Sequence, residues 1–296
     1  MININSQTRI AAIIGSPVAQ SLSPVIHNAV FAARSVNWLY LAFHVEPGRA
    51  RDALLAMSTL GIGGLSVTMP HKTDVATIVE EIGEIDEIVS VTGSANTVVL
   101  RKDSSLWATN TDGEGCCKAL ELAMKSSLRG ARVVVLGAGG TGAAVAYALV
   151  QRGAGDVVVV NRSIDRAQEL VKRIGGTCRV GNQSQIADDV DSAQVIINTT
   201  PVGFSDHDKT NDRINDTSNI APIDVSLLNA SHIVLDAVYR PLQTELLRGA
   251  STVGATVVDG LEMLVHQAAL QQQFWIGEPG DVGLMRAAAL ASLEIV

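Results

Sequence analysis

Short runs of β-branched and other apolar residues alternate along this chain with stretches whose apolar residues recur every three or four positions, almost from end to end. Such alternation is the pattern of βαβ units building parallel sheets, and it predicts an α/β fold. In the first third the spacing predicts strands over 9–14, 39–45, 64–67 and 94–100 and helices over 24–35 and 50–59. Ser23 stands in the N-cap position of the first helix and Pro24 in its first turn. A second series predicts strands over 133–136, 157–160, 195–198, 233–235 and 256–258, with helices over 140–152 and 164–173. The segment 205–224, rich in Asp, Asn, Ser and Thr with little periodicity, reads as an exposed loop. Residues 261–295 are helical in pattern with no strand after them, so they could close back over the first series.

Composition narrows the class. At 296 residues, 47% hydrophobic and 18% charged, the chain is long enough for two ordinary domains and too apolar for disorder. The balance of 22 Lys and Arg against 30 Asp and Glu gives a formal charge of -8. That argues against a nucleic-acid or anionic-membrane surface, so any phosphate is held locally. The first residues carry neither a basic leader nor an apolar signal core, and a cytoplasmic location is expected. An uncharged stretch from Val133 to Val150 contains four glycines and is read as strand, turn and helix, not as a membrane span. Cys116, Cys117 and Cys178 lack metal-type spacing and are expected to be reduced packing residues. The six His, at 27, 44, 71, 207, 232 and 266, form no ligand motif, so no metal is expected.

Gly137-Ala-Gly-Gly-Thr-Gly142 matches G-x-G-x-x-G, follows a predicted strand and opens an Ala-rich helix. In that context Gly137 permits a tight turn, Gly139 lets backbone approach a pyrophosphate, and Gly142 allows close packing of helix on sheet. Ala138 and Gly140 lie in the same turn, and the helix N-terminus offers N–H groups to phosphate. The end of the next strand carries Asn161, Arg162 and, four residues beyond Arg162, Arg166, with no carboxylate for a ribose hydroxyl. An acidic residue there would repel a ribose phosphate, whereas guanidiniums hold one, which favours NADP over NAD.

Four polar segments punctuate the first series: Ser21 to Asn28, Ser66 to Lys72, Gly93 to Thr97 and Asn110 to Asp112. Their hydroxyl, amide and carboxylate groups could bind a polyhydroxylated molecule at strand ends. Each alone also has a plainer reading: Ser21 or Ser23 as helix cap, Asn96 as turn former, Asp112 as cap, Lys72 as a solvated charge.

Taken in order, the motifs resemble those of the shikimate dehydrogenase family. They are Gly15-Ser-Pro with Ser21-Leu-Ser-Pro and His27-Asn28, Ser66-Val-Thr-Met-Pro-His-Lys72, Gly93-Ser-Ala-Asn-Thr97 and Asn110-Thr-Asp112, followed by Gly137-Ala-Gly-Gly and Asn161-Arg162. Asn198-Thr-Thr-Pro-Val-Gly203, Asp236-Ala-Val-Tyr-Arg-Pro241 and Gly260-Leu-Glu-Met-Leu-Val-His-Gln267 complete the series. The resemblance implies reduction of 3-dehydroshikimate to shikimate with NADPH, in the pathway to aromatic amino acids. It implies a substrate domain over 1–112, completed by 261–296, and a Rossmann-type NADP domain over 113–260, meeting at a cleft. By the same resemblance Lys72 and Asp112 are the catalytic pair. Ser21, Ser23, Thr68, Asn96, Tyr239 and Gln267 are the other substrate-binding groups, and Asn198, Thr199 and Gly260 lie near nicotinamide and ribose.

Three positions depart from the family pattern: Gln20 where His is usual, Ser66 where Asn is frequent, and Phe204 where Met is frequent. Quinate/shikimate or aminoshikimate dehydrogenase is therefore the neighbouring alternative. A catalytically silent NADP(H)-binding sensor is the distant one, against which the retained Lys72 and Asp112 argue. His71, beside Lys72, is read as a bystander. A small-molecule substrate is the expected partner, in a monomer or homodimer. Whether Asp112 keeps the Lys72 amine charged or burial favours its neutral form is open at this level.

Overall fold

The chain divides into two units, residues 1–112 with 265–296 and residues 113–264, in a computed structural model that describes residues 4–205 and 217–294. Most of the loop expected at 205–224, and His207 with it, lies outside the described residues. The return to the first unit begins at residue 265, not 261.

The first unit contains β1 (Arg9–Gly15), α1 (Ser23–Ala33), β2 (Trp38–His44), α2 (Ala50–Leu60), β3 (Gly64–Val67), α3 (Lys72–Ile82), β4 (Glu84–Ile85), α4 (Glu87–Thr92), β5 (Thr97–Leu100) and β6 (Leu106–Thr109). Its sheet runs in the order β2-β1-β3-β5-β6-β4. The unbroken apolar run of β1 follows from burial on both faces. Ala12 and Ile14 pack with Leu54, Met57, Leu65, Val75 and Val79, while Ala11 and Ile13 pack with Phe31, Tyr40 and Trp275.

The sheet is not wholly parallel, as the alternation alone suggested. β5 pairs antiparallel with both β3 and β6. Only Arg101 to Ser105 separates β5 from β6, too short for a crossover. Asp103 Oδ1 closes that turn by accepting from Ser105 N at 3.0 Å and Ser105 Oγ at 2.7 Å. A second difference concerns Ser23, which is the first residue of α1 and not its cap. Leu22 occupies the cap, and the Ser23 N–H donates to Ser21 Oγ at 3.2 Å.

The second series supplies α5 (Asp112–Met124), β7 (Arg132–Leu136), α6 (Gly140–Gln151), β8 (Asp156–Val160), α7 (Ile164–Ile174), β9 (Cys178–Val180), α8 (Ile186–Ser192), β10 (Val195–Asn198), β11 (Ile233–Asp236), α9 (Glu245–Thr252) and β12 (Thr256–Val258). The predicted C-terminal helical stretch is two helices, α10 (Gly260–Ile276) and α11 (Val282–Glu294). They part at Gly277, whose φ of 87° and the Pro279 beyond it end the first helix.

All six strands of the second sheet are parallel, in the order β12-β11-β10-β7-β8-β9. This is the doubly wound order, with its reversal between β7 and β10, where the ends of two strands leave a crevice. Alternate residues of β7 and β8 again serve two cores, Val133, Val135, Val157 and Val159 on one face and Val134, Leu136, Val158 and Val160 on the other. The three cysteines are buried and unbridged. Among the described residues no helix is long and apolar enough to cross a membrane.

The carboxyl ends of β10 and β11 are tied by a buried side-chain pair. Asn198 Nδ2 donates to Asp236 Oδ1 at 2.8 Å, and Asp236 also accepts from Val238 N at 3.0 Å and Thr244 Oγ1 at 2.7 Å. Burial outweighs these donors and pushes the Asp236 carboxyl up to about 6. A carboxyl more basic in the folded than in the unfolded chain binds its proton more tightly when folded. Its contribution to stability is present at low pH and is lost as pH rises through about 6. Denaturant unfolding should therefore show wild type gaining on Asp236→Asn, by on the order of 2 kcal/mol, between about pH 7.5 and pH 4.5. A difference between the two proteins that does not change with pH would exclude this role.

Candidate active site

The end of β3, the start of α3, the loop before β5 and the start of α5 bring the first unit's polar residues together. Gly15 makes room for the strand end, since a Cβ there would stand 2.3 Å from Thr68 Cγ2. The Thr68 carbonyl accepts from His71 N at 3.0 Å, which turns the chain into α3 with Lys72 as its first residue. His71 is fully buried and donates Nε2–H to the Val45 carbonyl at 2.7 Å. It packs the turn beneath Lys72, so it is a structural neighbour and not an exposed one.

Lys72 Nζ donates to Asp112 Oδ2 at 2.5 Å, and the side chains are only 15% and 8% exposed. The other carboxylate oxygen, Oδ1, accepts from Asn96 Nδ2 at 2.7 Å. Asn96 is buried and its orientation is set from the opposite side. Its Oδ1 accepts from Thr111 N at 2.8 Å and Thr97 Oγ1 at 2.7 Å. Gln267, from α10, brings Oε1 to 3.4 Å from Asn96 Nδ2 and 3.3 Å from Thr111 Oγ1. Asn110 Oδ1 receives the Asp112 N–H at 3.0 Å, so the first residue of α5 is held by backbone as well as side chain. A carboxylate engaged on both oxygens holds its lysine partner in one place, and the arrangement can hold or move a proton at the Nζ position.

Lys72, Asp112, Asn96 and Gln267 thus form one cluster. Ser23 is buried and hydrogen-bonds Tyr40, whose hydroxyl donates to Ser66 Oγ at 2.6 Å, so it joins the cluster through intermediates. Burial raises the Tyr40 phenol well above its ordinary range, keeping it a neutral donor. The sequence reading singled out neither Tyr40 nor Gln271, and it held Thr97 and Thr111 only as members of the polar segments 93–97 and 110–112. Gln271 was within reach of it, lying one helical turn beyond Gln267 and therefore on the same face of α10.

In the second unit the glycine turn lies at the end of β7. Gly137 has φ of 109°, and a Cβ on Gly142 would stand 2.2 Å from the Gly137 carbonyl oxygen. Both glycines are demanded by the turn itself. A Cβ at Gly139 would meet nothing within 4 Å, so backbone is open to a ligand at that position. Ala138 N donates to Asn161 Oδ1 at 3.1 Å, and Asn161 Nδ2 donates to the Ser163 carbonyl at 2.8 Å. Asn161 accordingly links the turn to the end of β8. Arg162 and Arg166 are exposed and form no ion pair among the described residues. A cation at a helix N-terminus opposes the dipole, and here neither guanidinium is paired with a carboxylate that would offset it.

Other predicted residues of this unit serve its framework. Thr199 Oγ1 donates to the Leu136 carbonyl at 2.7 Å, joining β10 to β7, and Asn198 is held by Asp236. Gly260 is required by close backbone, since its Cβ would be 2.5 Å from the Val238 carbonyl oxygen. Tyr239 follows β11 and is half-buried. Among the described residues no group of three His, Cys, Asp or Glu side chains could hold a metal ion.

Comparison with known proteins covers this same ground. Three family models match: shikimate dehydrogenase substrate binding domain over residues 13–98, shikimate/quinate 5-dehydrogenase over 119–212, and shikimate 5'-dehydrogenase C-terminal domain over 260–290. A relative from Thermococcus kodakarensis, named shikimate dehydrogenase (NADP(+)), is 40% identical over 290 residues, covering 98% of this chain and 99% of its own. Among solved structures, shikimate 5-dehydrogenase from Thermus thermophilus in complex with NADP(H) and shikimate has a TM-score of 0.83 at 30% identity, covering 96% of this chain and 99% of its own. Quinate dehydrogenase from Corynebacterium glutamicum in complex with NAD scores the same 0.83 at 30% identity, with the same coverage of 96% and 99%. Backbone likeness therefore does not separate substrates, but relationship along nearly the whole length, with Lys72, Asn96 and Gln267 falling inside the matched segments, is decisive at the coarser level: the chain belongs to the shikimate dehydrogenase family.

Proposed function

We propose that the chain is an NADP-dependent oxidoreductase that interconverts 3-dehydroshikimate and shikimate, with Lys72 as the acid–base group. The observation that carries this reading is the buried Lys72–Asp112 pair fixed by Asn96. Reduction of a ketone leaves an oxygen that must gain a proton, and in the reverse direction the hydroxyl must lose one. Lys72 gives or takes that proton at Nζ, while Asp112 keeps the amine from swinging away. Gln267 and Ser23 present polar groups for the substrate's hydroxyls and carboxylate, together with Ser21 and Thr68 of the same unit.

NADP(H), when bound, supplies or accepts the hydride at the carbon bearing that oxygen. The second unit's residues fit this group. Gly139 leaves its backbone uncovered, the first turn of α6 offers N–H groups to pyrophosphate, and Arg162 and Arg166 are exposed cations outside any ion pair among the described residues. Asn161 contributes by holding the glycine turn, since its amide bonds Ala138 and Ser163.

The quinate reading keeps a place because a quinate dehydrogenase is as similar in backbone as a shikimate dehydrogenase. Initial rates with shikimate and quinate, each against NADP+ and NAD+, separate the two. Shikimate with NADP+ should give the highest kcat/KM, and Arg162→Ala should raise the KM for NADP+ by about tenfold or more while moving that for NAD+ far less. Faster turnover of quinate, or equal effects of the substitution on both cofactors, would refute the assignment concerned.

Lys72→Ala should lower kcat by at least about 100-fold while the shikimate KM moves by less than about tenfold, as expected for a contact made mainly in the transition state. A variant that kept kcat and lost only affinity would make Lys72 a binding residue.

A further inference from the structure

Ser66 stands where the family frequently has Asn, and the amide missing from that position is met by one from another element. Gln271, 2% exposed on α10, accepts at Oε1 from Ser66 Oγ at 2.8 Å. Its Nε2 donates to Thr97 Oγ1 at 3.0 Å and to the Asn96 carbonyl at 3.2 Å. We infer that Gln271 is a positioning residue for the proposed acid–base pair, acting through Thr97 and Asn96 on Asp112 and Lys72; this rests on the reading of Lys72 given above.

The hydrogen bonds run one way. Tyr40 donates to Ser66, Ser66 to Gln271, Gln271 to Thr97, Thr97 to Asn96, and Asn96 to Asp112, which also receives Lys72. A hydroxyl has a single proton. Because Gln271 donates to Thr97, the Thr97 proton is left for Asn96 Oδ1, and the Asn96 amine then faces the carboxylate. An Asn96 turned over would set its NH2 against Thr97 and Thr111 donors and its oxygen against Asp112. Thr111 N–H holds the same orientation from the backbone, so Gln271 reinforces the setting.

Its second contribution is the register of α10. Gln267 precedes Gln271 by one turn and reaches the Asn96 amine and Thr111 at only 3.4 and 3.3 Å. The bonds of Gln271 to Asn96 and Thr97 fix how far α10 lies along β5, and thereby where Gln267 is presented. These polar groups are shut away from water, so a replacement without donors leaves several of them without partners.

Gln271→Met, near in volume and without polar donors, should lower kcat about tenfold, leave the NADP+ KM within about twofold, and move the pH profile of kcat. In protein labelled with 15N at Asn side chains, the Asn96 carboxamide signals should shift and exchange faster with water in the same variant. That second readout needs no turnover, so it tests the positioning even if the Lys72 reading fails. Should Gln271→Met not fold, Thr97→Val, which removes the next member of the chain at the same volume, is expected to behave alike in both measurements. A variant with a lowered melting temperature but wild-type kcat, pH profile and Asn96 signals would make Gln271 a core filler and overturn the inference.

Discussion

A buried carboxamide, Asn96, is the constraint on which the first unit's chemistry depends. Its oxygen receives a backbone N–H and a hydroxyl, and its amine is thereby turned toward Asp112. A carboxylate shielded from water needs such donors, because without them the charged form would be disfavoured. Once Asp112 is held, Lys72 at the head of α3 has a fixed partner. The fold supplies this geometry through strand ends: Asn96 N donates to the Thr109 carbonyl at 3.1 Å and Val67 N to the Asn96 carbonyl at 2.8 Å, so three neighbouring strands meet at one residue. The antiparallel β5 matters here, since it brings the loop carrying Asn96 beside the end of β6, and with it Thr111 and Asp112.

The second unit solves a different problem with fewer side chains. Its turn is built by omission: Gly137 adopts a left-handed φ, Gly142 lets α6 lie on the Gly137 carbonyl, and Gly139 leaves backbone open. Thr199 and Asn161 then brace the turn from the strands on either side, through Leu136 and Ala138. Three of the residues expected near a cofactor, Asn161, Thr199 and Gly260, thus have framework duties that their residue types alone do not reveal.

Much of this was legible in the sequence because the signals are local. Strands buried on both faces appear as unbroken apolar runs, and β1, β3, β7, β8 and β10 were placed to within a residue or so. The glycine turn was legible because strand, spacing and helix all agree. The short strands β4, β6 and β9 were missed, as were α3, α4, α8 and α9, while α5 was read only as a helix that Asp112 could cap. A two- or three-residue strand carries no period, and Leu106–Thr109 is recognisable as a strand only once its pairing with Thr97–Leu100 is known. The polar cluster was legible as a set of segments and, through family resemblance, as roles. Its wiring was not, because Ser66 and Gln271 are 205 positions apart and their bond depends on the C-terminal helices returning to the first unit.

If the Asn96 carboxamide is what makes Asp112 an effective partner for Lys72, the two residues act as one unit. A double-mutant cycle on kcat for shikimate oxidation, with Asn96→Ala, Asp112→Asn and the double variant, measures this directly. The account predicts strong coupling, the double variant being no more than about twofold slower than the slower single variant. Losses that simply multiply would contradict it, because Asn96 would then contribute to turnover by a route that does not pass through Asp112.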